Sequence, residues 1–319
     1  PDPRPAGPGR GQRDGRPGGG PAMTLAPRAV LVHRRTELTE LVERHGTHGQ
    51  AAFFLARRGR QMAEVQARHQ LVQAALTVVA AAIPATWRRG LVERADLPRF
   101  LFEPGDIVVV VGQDGLVANV AKYLDGQCVV GINAEPDRNP GILVPHPPEA
   151  AGALLAAAGR PGFAPARLTM VSAVTDDGQE LTALNEIYIG SASHQTARYT
   201  LLTNKGFTEP QASSGLIVAT GTGATGWCRS AWQERRSTLE LPGPADQRLA
   251  WFVREAWPSP ATGTSATEGD LTAGQQLSLT VASDELVLFG DGVESDAVTL
   301  AWGQTAQVSV AARTLSLLR

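Results

Sequence analysis

Three short stretches carry side chains whose type and spacing suit work on a phosphate. The first is Gly112-Gln113-Asp114-Gly115, a carboxylate between glycines, directly after the apolar run Asp106 to Val111. Small residues there let backbone N–H groups approach an anion, and a helix terminus behind them adds a favourable field. A positioned carboxylate can take the proton of an attacking hydroxyl. Taken alone the pattern is weak, because Asp-Gly also makes ordinary turns. The second stretch, Ser213 to Trp227, runs an apolar strand into alternating glycine and threonine. Hydroxyls and amides are dense there, although a surface loop with a helix cap at Thr225 is the plainer reading of such a tract. The third, Asn185-Glu186, sets an amide and a carboxylate inside the apolar run ALNEIYI. An edge-strand polar pair would explain it as well.

These stretches need elements to hold them. Residues 29 to 33 read as a short buried strand, and Thr36 opens a helix. Apolar residues from Met62 to Val79 recur at helical steps until Pro84 stops them. The continuous β-branched run 106 to 111 suits a strand buried on both faces of a parallel sheet. A helix at 116–124 and a strand at 127–133 complete a βαβ unit. The Gly112–Gly115 loop then sits at a strand's carboxyl end, where open α/β sheets bind ligands. After Pro145-His146-Pro147-Pro148 and a short helix at 151–158, the pattern turns to strands. They are expected at 167–175, 180–190, 197–203, 215–220, 250–254, 276–282, 285–289 and 297–311, with one helix after Gly226. The organisation expected is a disordered extension at 1–23, an α/β domain at 24–146 and a β-rich domain at 147–319.

Composition narrows the function. The chain has 319 residues, 29 Lys+Arg and 31 Asp+Glu, for a net charge of −2, which gives no broad basic face for nucleic acid. Its two lysines, Lys122 and Lys205, stand outside any GxxxxGK[ST] phosphate loop. Cys128 and Cys228 can build neither a disulfide framework nor a cysteine-rich zinc site, and a reducing cytoplasm suits them. The apolar stretch Leu71 to Ile83 is short of the roughly 20 residues that span a bilayer, so no membrane segment is expected. Residues 1–22, with 7 Gly, 6 Pro and 4 Arg, have nothing to bury, and Met23 is a candidate natural start. His45 and His48 read as a surface turn, Arg57, Arg58 and Arg60 as a solvated helix end, and Asp291-Gly292 as a structural turn between late strands.

The order and spacing of the three stretches resemble the NAD kinase family. The family's GGDG loop matches Gly112-Gln113-Asp114-Gly115, its GIN or GVN strand matches Gly131-Ile132-Asn133, its NE pair matches Asn185-Glu186, and its TPTGSTAY loop matches Thr220 to Trp227. The mitochondrial-type branch is the nearer likeness. It carries SSGL as at Ser213 to Leu216, TGTG followed by Trp as at Thr220 to Gly223 and Trp227, and a run matched with an acidic swap by Glu135 to Leu143. The resemblance spans roughly residues 28 to 300 and is strongest from 106 to 227.

That resemblance implies an N-terminal Rossmann-like α/β domain and a C-terminal, mostly antiparallel, sandwich-like β domain. It implies transfer of the terminal phosphate of ATP to the 2′-hydroxyl of the adenosine ribose of NAD, with Mg²⁺ or another divalent cation. Asp114 would be the general base, and Gly112, Gln113 and Gly115 would face phosphate. Asn185 and Glu186 would hold the ribose and adenine side. Thr220, Thr222, Gly223 and Thr225 would line the dinucleotide pocket, and Asn133 would order the adjoining loop. The expected partners are small-molecule nucleotides, with no nucleic acid, no membrane and no protein metal ligands, in a cytoplasmic homodimer. Two departures stand in the phosphate loop, Gln113 for glycine and Leu116 for threonine. A positive φ at Gln113 would strain it, whereas a negative φ would free its amide to donate to a phosphate. These departures motivate one alternative, a catalytically weak NAD(P)-binding regulatory protein; the other is a lipid kinase of the same superfamily, which also carries GGDG. Donor choice, ATP or polyphosphate, and the preference for NAD or NADH stay open.

Overall fold

A computed structural model describes residues 26–160 and 162–319; the expected extension at 1–23 and Met23 lie outside the described residues. Four parallel strands open the chain, β1 (Arg28–His33), β2 (Arg88–Glu93), β3 (Asp106–Gly112) and β4 (Cys128–Asn133), in the spatial order β2-β1-β3-β4. All but the last residue of β3 are buried, as its β-branched run requires. Helices α1 (Glu37–His45), α2 (His48–Ala56) and α3 (Met62–Ala82) connect β1 to β2, and α4 (Asp114–Ala121) connects β3 to β4. Thr36 and Thr47 cap α1 and α2 by accepting the N–H groups of Thr39 and Gln50. One face of the sheet is covered by Ala75 and Val79 of α3 and by Leu155 of α5 (Ala151–Ala158). The other is covered by Leu116, Val117 and Val120 of α4.

Then come β5 (Ala166–Thr175), β6 (Glu180–Ala183), β7 (Glu186–Gly190), β8 (Ala197–Leu202), β9 (Thr208–Ser213), β10 (Leu216–Ala219), α6 (Trp227–Arg235), β11 (Arg248–Val253), β12 (Glu268–Thr272), β13 (Gln276–Val281), β14 (Glu285–Gly290), β15 (Val293–Ala301) and β16 (Thr305–Leu318). The parallel strands continue through β16, which lies parallel to β4, into antiparallel β13, β8 and β9. Strand β5 pairs β16 and β6 beside this path. A second sheet, β12-β11-β10-β7-β14-β15, is antiparallel throughout. The two sheets share a core of Val171, Ile189, Tyr199, Val218, Leu279 and Leu288. Helix α6 seals the other face of the second sheet with Cys228 against Ile217 and Phe252. This is the mixed α/β and antiparallel β architecture the resemblance implies.

Several elements differ from the sequence expectation. The run 180–190 is two strands, broken at Leu184-Asn185, where the chain leaves the first sheet for the second. The run 297–311 is likewise divided at Trp302-Gly303-Gln304. Helix α4 begins at Asp114 rather than at 116. Strands β2, β9 and β12 and helix α2 carry no expectation above. All three strands lie at sheet edges, where burial imposes no clear pattern.

Candidate functional site

Strand β3 delivers the glycine-flanked carboxylate to the start of α4. Gln113 has φ −117° and ψ 165°, an extended backbone that costs a non-glycine residue nothing. Asp114 is the first helical residue, and its carboxylate is anchored. Oδ1 accepts the N–H groups of Leu143 at 2.8 Å and Val144 at 3.1 Å, and Oδ2 accepts that of Ile142 at 2.9 Å. The strap it pins, 142–144, crosses β4 at Gly131, where a Cβ would lie 1.9 Å from the Leu143 carbonyl oxygen. This close approach accounts for the glycine of Gly131-Ile132-Asn133. Asn133 is buried, donates to the Asn139 carbonyl at 2.7 Å and accepts from Glu135 N–H at 3.0 Å, so it shapes the loop before the strap.

The Asn185-Glu186 pair sits at the crossing between the sheets, clasped from both sides. Thr220 donates its hydroxyl to the Leu184 carbonyl at 2.5 Å and its N–H to the Asn185 carbonyl at 2.9 Å. The same hydroxyl oxygen accepts the N–H groups of Thr222 at 3.1 Å and Gly223 at 3.3 Å, folding the Gly/Thr loop back on itself. At Gly223 a Cβ would fall 2.1 Å from the Asn185 carbonyl oxygen, so only glycine lets the loop close on the pair. From the opposite side Asp291, in the turn between β14 and β15, accepts the N–H groups of Leu184 at 2.9 Å and Asn185 at 2.6 Å. Burial, and then the nearby charge of Asp291, pushes the Glu186 carboxyl up to about 7. Burial also raises Asp291, to about 6, against the opposing pull of the N–H groups it accepts and of Lys122.

Two cavities are lined by these groups and their neighbours. One, of about 210 Å³, is lined by Asp114, Ile142, Asn185, Glu186, Thr222 and Thr225 among others. Gly223 lines it too. The Thr222 hydroxyl is buried and has no partner among the described residues. The second, of about 540 Å³, is lined by Gly112, Gln113, Gly115 and Leu116 together with Arg34, Arg35, Arg68 and Arg94. Three of these arginines are paired, Arg34 with Glu40, Arg35 with Glu43 and Glu93, and Arg68 with Glu37 and Glu135. Arg94 instead donates to Asn119 of α4 at 2.6 Å.

The sequence candidates thus divide. Asp114, Asn185, Glu186, Thr222, Gly223 and Thr225 share the smaller cavity; Gly112, Gln113 and Gly115 face the larger one. Asn133 and Thr220, both buried, line neither and act through hydrogen bonds to neighbouring backbone. The arginines were not among the candidates. The one available signal was Arg34-Arg35 directly beyond the carboxyl end of β1. Asp291, expected as a turn residue, is one, with φ 54°, and it also reaches the larger cavity.

No family model matches the chain. Among curated proteins it is 30% identical over 128 residues to the NAD kinase of Methanoregula boonei, covering 40% of this chain and 46% of that protein. It is 34% identical over 139 residues to the NAD kinase of Methylococcus capsulatus, 41% of this chain and 47% of that one. The NAD kinase of Chlorobaculum tepidum is 27% identical over 141 residues, 44% of this chain and 47% of its own length. The aligned stretches therefore span about half the length of the curated relatives. In architecture the chain is similar to the crystal structure of an NAD kinase from Archaeoglobus fulgidus in complex with ATP. That likeness has a TM-score of 0.55 at 17% identity and covers 92% of this chain and 93% of that one. It is a likeness of fold. The sequence matches are all to NAD kinases.

Proposed function

We propose that this chain is an NAD kinase, transferring the terminal phosphate of ATP to the 2′-hydroxyl of the adenosine ribose of NAD to give NADP. One observation carries the reading: segments that begin at Asp114, Asn185 and Thr222 wall a single cavity. A ribose in that cavity would meet the amide of Asn185 and the carboxyl of Glu186. Thr222 would offer its unpartnered hydroxyl, and Asp114 would face the nucleophile. Asp114 Oδ2 carries the Ile142 bond and keeps acceptor capacity for a ribose hydroxyl, because each carboxylate oxygen accepts about two bonds. Its anchorage by the strap serves alignment, on which phosphoryl transfer chiefly depends.

The donor phosphates belong in the arginine-lined cavity beside the start of α4, where Gly112 and Gly115 face them. The extended backbone of Gln113 supports the second of the two alternatives above, an unstrained side chain whose amide donates to a phosphate oxygen. Among the described residues no three His, Cys, Asp or Glu side chains gather in a metal-ligating group. A divalent cation would arrive on the donor's phosphates, whose charge it neutralises. Thr220-Gly221-Thr222-Gly223 with Trp227 supports the mitochondrial-type branch. The same resemblance supports a cytoplasmic homodimer, an α/β part at 24–146 and a β-rich part at 147–319. No helix among the described residues is long and apolar enough to cross a membrane.

The test is NADP formation by purified protein with ATP and with polyphosphate as donors, beside calorimetry with NAD and NADP. Turnover with either donor supports the kinase. Binding without turnover would support the regulatory alternative, and phosphorylation of a lipid but not of NAD would support the lipid kinase.

A further inference from the structure

Asp291 occupies an unusual position for a residue in a hairpin turn. It follows β14, and its φ of 54° with 66° at Gly292 gives the two-residue turn expected of an Asp-Gly pair between twisted strands. A turn of that kind needs no carboxylate. Yet this one is turned inward, where it accepts two backbone N–H groups from a segment 106 and 107 residues away. Its own N–H donates to the Glu186 carbonyl at 3.0 Å. Leu184 and Asn185 stand between β6 and β7, which lie in different sheets, so neither residue belongs to a strand ladder. The Asp291 carboxylate supplies what the ladder does not. It also borders the larger cavity, while Asn185, which it holds, lines the smaller.

We propose that Asp291 is a positioning residue: its carboxylate fixes the backbone at the sheet crossing and thereby aims Asn185 and Glu186 into the cavity they share with Asp114. The aiming of a nucleotide group rests on the kinase reading; the fixing of the backbone does not. A carboxylate is suited to this work because its hydrogen bonds are charge-assisted and it accepts two donors at once. Lys122, whose side chain is nearly buried and pairs with Asp296 of β15, lends Asp291 a favourable field from the end of α4. Thr220 and Gly223 hold the carbonyl side of the same backbone, so Asp291 closes the only side they leave open to the N–H groups.

The experiment compares Asp291→Gly and Asp291→Asn with the unaltered protein. Glycine removes the carboxylate while accepting the positive φ without strain, and asparagine tolerates that φ and keeps one acceptor oxygen. Amide hydrogen exchange is the first readout and needs no ligand. Exchange at Leu184 and Asn185 should quicken by ~10-fold or more in Asp291→Gly, in keeping with the loss of two bonds to a charged acceptor. Amides of β7 and β10 should keep their protection, and Asp291→Asn should fall between. The second readout is kinetic: Asp291→Gly should raise KM for NAD ~10-fold and leave KM for ATP near that of the unaltered protein, with asparagine restoring part of the loss. Unchanged exchange at Leu184 and Asn185 would overturn the proposal whatever the activity. Faster exchange with an unchanged KM for NAD would overturn its link to the nucleotide. Faster exchange in a protein that neither binds NAD nor makes NADP would leave the backbone role standing and defeat the kinase reading instead.

Discussion

Replacing Gly223 with alanine tests the closure of the Gly/Thr loop on the Asn185-Glu186 pair. The new Cβ would lie 2.1 Å from the Asn185 carbonyl oxygen and 2.6 Å from its carbon, both well inside ordinary van der Waals contact at 3.4 Å and the first by more than 1 Å. Both partners are backbone, so no flexible side chain can yield. The loop is tied to Asn185 by the Thr220 N–H at 2.9 Å and to Leu184 by the Thr220 hydroxyl at 2.5 Å, which leaves two ways out. Either Thr222 to Thr225 lifts from the cavity, or the Asn185-Glu186 backbone turns away from Asp114. A displacement of ~1 Å in a positioned group costs ~10²-fold in rate, and overpacking costs about 1–3 kcal/mol of stability. Initial rates of NADP formation should therefore fall ~10²-fold in a protein that melts as a single folded species a few degrees lower. Gly152→Ala on α5 is the control, since its Cβ would meet only Ala82 Cβ at 4.0 Å. Wild-type turnover and NAD affinity in a folded Gly223→Ala protein would show that the loop and the pair do not form one site.

Asp114→Asn should lower turnover by ~10²-fold while calorimetric NAD affinity stays close to wild type; an undiminished rate would take the carboxylate out of the chemistry. Glu186 gives a pH signature. Below about 4.5 its carboxyl is protonated in folded and unfolded chains alike, and between about 4.5 and 7 only the folded chain keeps the proton. Its contribution to stability is thus present at low pH and lost as pH rises through about 7. Chemical denaturation at pH 5 and pH 8 should show a smaller loss in Glu186→Gln than in the unaltered protein, and equal losses would refute the raised carboxyl. Arg94→Ala should raise KM for ATP ~10-fold and leave KM for NAD alone, as steady-state kinetics with each substrate varied would show; equal shifts in both would place Arg94 outside the donor cavity.

What could be read from sequence follows from how local its physical cause is. Strand β3 was legible because four successive valines suit only an element buried on both faces, and α3 because its apolar steps stop at Pro84. The Asp114 loop was legible for the same reason, since strand, glycine and helix are contiguous. The break at Leu184-Asn185 was not, because ALNEIYI is apolar on either side of it. The chain is turned there by Thr220, 36 residues from Leu184, and by Asp291, 107 residues from it. Strand β9 escaped notice because Pro210 and Glu209 look unlike a strand, yet an edge position tolerates proline and Glu209 finds the N–H groups of Ser265 and Ala266. The arginines of the larger cavity are spread from Arg34 to Arg94 and gather only through the order β2-β1-β3.

The same distinction bears on how the site is assembled. Asp114 opens the helix after parallel strand β3, Thr222 and Asp291 belong to loops of the antiparallel second sheet, and Asn185 stands where the chain crosses from one sheet to the other. Strand β16 is the link, its last residues parallel to β4 and its first antiparallel to β13. Along most of its length it also pairs with β5, which leads through β6 to the crossing that carries Asn185 and Glu186. The cavity walls therefore come into register only when the final strand is in place. Pairings this distant in sequence form late and close large loops. A protein lacking the β4–β16 pairing would keep each motif intact and still have no site between them.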